Sequence, residues 1–98
     1  MNQIAIIGGG GFGREVRTLI DDINRVQPEY EFLGYFDDYL TVGQIINGFP
    51  VLGKVKDLNN YSKPLCVTIA TGKPSSKSLI ISEIKNKNVS YPNLIHPT

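Results

Sequence analysis

This 98-residue sequence predicts a doubly wound α/β domain with a mostly parallel sheet. Three observations predict it. Ile4-Ala5-Ile6-Ile7 is a continuous apolar run with the character of a strand buried on both faces, and Leu65-Cys66-Val67-Thr68-Ile69-Ala70 is the clearest later strand. Segments with helical periodicity alternate with the strand-like runs, which implies crossover units. A run of glycines joins the first strand to the first helix. The length suits a single domain over residues 1–98, with room for a modest core.

The first strand, 4–7, is closed by glycines. Val16, Leu19, Ile20 and Ile23 then recur on one face of a helix, and Pro28 marks the loop after it. The aromatic-rich segment 30–36 reads as a second strand that ends at Asp37-Asp38. Phe49-Pro50-Val51-Leu52, bracketed by Asn47-Gly48 and Gly53, predicts a short edge strand, because Pro50 cannot donate to a ladder. A short helix is expected over 55–58 and a strand over 65–70. Pro74 suits the first turn of a second helix, with Leu79, Ile80, Ile81 and Ile84 as its apolar face and Asn88 at its end. Residues 91–95 predict a last short strand.

Composition narrows the function. Ten Lys and Arg balance nine Asp and Glu, and a net charge of +1 gives no reason to expect a nucleic-acid or membrane partner. The one cysteine, Cys66, provides neither a disulfide framework nor a metal cluster, and it reads as a small buried hydrophobe. The apolar run at the N-terminus is too short for a signal peptide, and no segment reaches the ~18–20 apolar residues of a membrane span. A cytoplasmic location is the expectation.

Gly8-Gly9-Gly10-Gly11-Phe12-Gly13 satisfies G-x-G-x-x-G at Gly8, Gly10 and Gly13, after a strand and at the start of a helix. In such a Rossmann-like unit the first glycine makes the turn, the second lets backbone approach a phosphate, and the third lets helix and strand pack closely. The N–H groups of the first helical turn form an anion site, and Arg14 is placed either to pair with a phosphate or to sit in solvent. A structural turn alone has no need of four consecutive glycines. Asp37 lies 24 residues beyond Gly13 at a strand end, where a carboxylate accepts ribose hydroxyls. Asp38 is placed to serve a base or to cap a helix, and an Asp-Asp pair also suits a plain turn. The loop Thr71-Gly72-Lys73 lies at the same edge of the sheet.

The glycine loop, Phe36-Asp37-Asp38, Gly48-Phe49-Pro50-Val51-Leu52-Gly53, Ile69-Ala70-Thr71-Gly72 and Asn93-Leu94-Ile95-His96-Pro97 occur together in this order. With them the whole chain resembles the N-terminal domain of the bacterial sugar O- and N-acetyltransferases of the NeuD/PglD type, which act on sialic acid and bacillosamine precursors. The resemblance implies an acceptor domain that binds a UDP- or CMP-linked sugar. It implies no cofactor in this domain. Acetyl-CoA, the catalytic histidine and trimer formation belong to a C-terminal left-handed β-helix of hexapeptide repeats. Carried over by position, the nucleotide-sugar contacts fall on Gly10, Gly11, Phe12, Asp37, Asp38 and Gly72, with Gly8, Gly13 and Arg14 in the phosphate loop. The usual loop of that family has histidine where Phe12 stands, so a polar contact is replaced by a ring able to pack on a base or sugar face. The Leu-Ile-His-Pro motif leads into the β-helix in that family, so the chain reads as a fragment of a longer enzyme, and no catalytic residue is expected in it. His96 is expected to be structural, and Lys73 to be a surface residue.

Two other readings compete. G-x-G-x-x-G with Asp37 also fits NAD in a regulatory or oxidoreductase module, although 98 residues leave no room for the second half that holds nicotinamide. A ligand-free oligomerisation module is the third, and the glycine loop argues against it.

Overall fold

The computed structural model describes residues 1–71 and 74–94. In chain order it contains β1 (Asn2–Ile7), α1 (Gly11–Val26), β2 (Tyr30–Phe36), β3 (Ile45–Ile46), β4 (Phe49–Gly53), a 3-10 helix (Val55–Asn60), β5 (Leu65–Ile69), α2 (Pro74–Glu83) and β6 (Val89–Ser90). The strands form one sheet in the order β3-β4-β2-β1-β5-β6. All pairings are parallel except that of β3 with β4. This is the Rossmann-like α/β architecture.

Strand β1 lies between β2 and β5, and the side chains of residues 4–7 are buried, as the unbroken apolar run requires. Its side chains alternate between two cores. Ile4 and Ile6 pack with Ile20 of α1, while Ala5 and Ile7 pack with Val55 and Leu58 of the 3-10 helix and with Ile80 and Ile84. Asn24 closes the turn from α1 into β2. Its amide donates to the Tyr30 carbonyl, and its oxygen accepts the N–H groups of Glu29 and Tyr30.

Strand β2 does not keep the alternation. The register with β1 runs Ile4 to Phe32 and then Ala5 to Gly34, so Leu33 is the extra residue of a β-bulge. Gly34 has φ +147°, and a Cβ there would collide with the carbonyl oxygen of Pro50. The bulge changes which faces the side chains take. Phe32 and Tyr35 both join the α1 core, and Leu33 and Phe36 both join the opposite core. Tyr35 is fully buried, and its hydroxyl has no hydrogen-bond partner among the described residues.

Three sequence expectations are corrected. Strand β4 is not at the edge, because β3 pairs beyond it. Asn47 (φ 49°) and Gly48 (φ 86°) form a two-residue hairpin turn with positive φ at both positions, which folds β3 back on β4. The Val51 N–H donates to Gln44 and the Gly43 N–H to Val51, so the ladder resumes past Pro50. Helix α2 ends at Glu83 rather than Asn88, and only Ile80 and Ile84 reach the core, with Leu79 and Ile81 exposed. The chain is turned early there by Asn86, whose amide donates to the carbonyls of Leu58 and Tyr61. The last strand is β6, at 89–90 rather than 91–95, and the described residues 91–94 are irregular.

Candidate functional site

The carboxyl ends of β1, β2 and β5 meet at one edge of the sheet, where open α/β sheets bind ligands. Hydrogen bonds continue past the strands and hold the loops side by side. Gly8 N–H donates to the Phe36 carbonyl (2.9 Å), Ala70 N–H to Ile7 (2.9 Å) and Asp37 N–H to Gly53 (3.0 Å).

The glycines have separate roles. Gly8 has φ +105°, so the turn out of β1 needs it. A Cβ on Gly13 would collide with the Gly8 carbonyl oxygen, so α1 approaches β1 as closely as it does only without a side chain there. A Cβ on Gly9 would press on the ends of Ile46 and Leu40. Gly10 differs from these three. It has ordinary extended geometry (φ −82°), and a Cβ on it would meet nothing within 4 Å. Gly10 is the N-cap of α1, no side chain caps the helix, and its first turn contains no acidic residue. Gly11 opens the helix, while Phe12, at 55% exposure, and Arg14 face outward.

The two acids point in opposite directions. Asp37 Oδ2 accepts the Gly9 N–H (2.9 Å), and Oδ1 accepts those of Tyr39 (2.8 Å) and Leu40 (3.2 Å). This carboxylate therefore makes an Asx-type turn and also ties the acidic loop to the glycine loop. Asp38 Oδ1 accepts the Val55 N–H (2.9 Å) on the other side of the sheet. Lys54, which the sequence did not single out, donates its ammonium to the carbonyls of Asp38 and Leu40, each at 3.0 Å. The loop 37–40 is thus held by its own carboxylates and by Lys54.

Beside this loop is a cleft of about 340 Å³. Its floor is Ile7, Gly8, Phe36 and Ala70, and its walls are Asp37, Asp38, Tyr39 and Val55 on one side and Thr71 with Ser76, Leu79, Ile80 and Glu83 of α2 on the other. The described lining contains three carboxylates and no cation. Gly8, Asp37 and Asp38 come together here as the sequence suggested, whereas Gly10, Phe12 and Arg14 lie outside the cleft lining. Gly72, Lys73 and His96 lie outside the described residues. Tyr39 and Leu79 also line the cleft. An aromatic directly after the acid pair is a sequence signal for Tyr39, whereas Leu79 reads in the sequence as part of a helix's apolar face. No group of three or more metal-ligating side chains occurs among the described residues, and no described helix is long and apolar enough to cross a membrane.

A parallel sheet with a glycine-rich β1–α1 turn at its carboxyl edge defines the class as a Rossmann-like α/β domain. Residues 3–84 match the model of the PglD N-terminal domain, and the chain belongs to that family. A search of the curated proteins found no match. Among solved structures, the chain is similar to the acetyltransferase domain of PglB from Neisseria gonorrhoeae FA1090, with 27% identity and a TM-score of 0.72 over 99% of this chain and 45% of that one. The chain thus spans less than half of that structure's length. It is an acetyltransferase-related domain.

Proposed function

We propose that this chain is the acceptor domain of an acetyl-CoA-dependent sugar O- or N-acetyltransferase and that it binds a nucleotide-activated sugar, UDP- or CMP-linked. The observation that carries the reading is the open space over Gly10 at an uncapped helix N-terminus, beside a cleft of opposite electrostatic character. Phosphate oxygens suit the free N–H groups and positive dipole end of α1. The acidic cleft repels phosphate and suits hydrogen-bond donors, such as ribose hydroxyls and the N–H of a base. Membership of the PglD family and likeness to an acetyltransferase domain support the sugar-transferase context. In the whole enzyme, a homotrimer on this reading, acetyl-CoA supplies the acetyl group from a separate hexapeptide-repeat domain. The 98 residues position the acceptor and transfer nothing themselves.

Titration calorimetry with UDP- and CMP-linked sugars and with NAD tests this. Binding of a nucleotide sugar in preference to NAD is expected. Gly10→Val should abolish it without unfolding the domain, since extended geometry and open space accept the side chain. Binding of NAD with no response to nucleotide sugars would overturn the proposal, and so would nucleotide-sugar binding undiminished by Gly10→Val.

A further inference from the structure

Arg17 lies on α1 one helical turn beyond Gly13, and its side chain is only 18% exposed. The guanidinium carbon is 4.1 Å from the centre of the Phe49 ring and 4.9 Å from that of Phe32. Nη1 donates to the Asn47 carbonyl and Nε to the Asp21 carboxylate, each at 3.4 Å. Asn47 is in the turn of the β3–β4 hairpin, and Phe49 opens β4. A planar cation over two rings that also donates to a backbone carbonyl holds this hairpin against the side of α1. The same hairpin touches the glycine loop. Ile46 pairs with Phe49 across the turn. A Cβ on Gly9 would be 2.6 Å from Ile46 Cδ1 and 2.7 Å from Leu40 Cδ1, so these methyl groups lie directly against the Gly9 backbone. Gly9 immediately precedes the N-cap of α1, and its position sets the direction of the N–H groups that follow.

We propose that the β3–β4 hairpin braces the glycine loop from below and that Arg17, which touches no ligand, is a positioning residue for anion binding at the α1 N-terminus. The brace rests on the phosphate reading of that terminus. Arg17 fixes Asn47 and Phe49, Ile46 is paired with Phe49, and Gly9 sits on the end of Ile46. Close-packed groups pass a displacement on to their neighbours, so a hairpin released from α1 releases Gly9. Asp37 still holds the Gly9 N–H in that case, and the loop keeps its path with less order. A loop already in place has less freedom to lose when an anion binds, and the brace therefore acts on affinity.

The test is a titration of the parent, Arg17→Met, Ile46→Val and the double variant with inorganic pyrophosphate and with UDP, at about 0.05 and about 0.5 M salt. Arg17→Met keeps an unbranched stem and loses the guanidinium. Ile46→Val removes the Cδ1 methyl that meets Gly9 and changes no charge. Each should weaken both ligands about 2- to 30-fold, by the same factor at either salt concentration. The double variant should lose less than the product of the two factors, because both act through Gly9. A role confined to folding would lower the urea midpoint and leave the folded variants with the parent's affinities. That outcome would overturn the brace and leave the phosphate reading standing. So would a loss in Arg17→Met that vanishes at the higher salt while Ile46→Val binds like the parent, since only the field of a cation would then have been removed. A parent that binds neither pyrophosphate nor UDP would overturn both. If Arg17→Met does not fold, Ile46→Val, which deletes a single methyl group, decides alone.

Discussion

One carboxylate, that of Asp37, accepts three backbone N–H groups from two loops. Both of its oxygens are needed as acceptors, so the nearly isosteric Asp37→Asn places an NH₂ against at least one backbone N–H whichever way the amide turns. The expected cost is about 1–3 kcal/mol, read as a lower urea midpoint at unchanged slope. A residue that served only a ribose would show no such loss before ligand is added. The sequence placed Asp37 at the right strand end, because spacing from Gly13 and the end of an aromatic run are local signals. Its hydrogen bond to Gly9 spans 28 positions and depends on how β2 is wound, which no local pattern encodes.

At the level of elements, helices and strands with one dominant periodicity were legible, and those fixed by side-chain stitching were not. Strand β1 and helix α1 follow from an apolar run and a 3.6-residue repeat. Helix α2 has apolar residues on several faces, so its pattern did not show which of them reach the core. Its end is set by contacts made after it. Asn59 donates to the Glu83 carbonyl and accepts the Lys85 N–H, and Asn86 holds two carbonyls of the 3-10 helix region at 2.8 and 2.7 Å. Asn86→Ala leaves both part-buried carbonyls without this donor. A loss of about 1–3 kcal/mol is expected in urea unfolding. Hydrogen exchange should rise first in the last turn of α2 and in β6, the elements this side chain joins to the rest. Strand β3 was missed although Asn47-Gly48 is a hairpin signal, because two residues make too short a strand to show a period.

For the whole molecule, the bulge in β2 has the widest reach. Every residue after Leu33 on that strand faces opposite to the side that simple alternation would give it, through Tyr35 and Phe36 to the two acids. Asp37 reaches the glycine loop, and Asp38 reaches the 3-10 helix, with the parity set by Gly34. Gly34→Ala drives a Cβ into the Pro50 carbonyl, a backbone atom that moves only with β4. A loss of about 1–3 kcal/mol or more is expected from thermal unfolding, with weaker ligand binding in what remains folded. The glycine is two positions before Phe36, the first residue of this strand to line the cleft, and carries no side chain, which is why a search for chemistry in the sequence passes over it. Strand β2 thus reads like a sentence in which one inserted letter sets the frame of everything downstream. An insertion or deletion of a single residue between Phe32 and Gly34 would leave both aspartates in the chain and exchange their tasks.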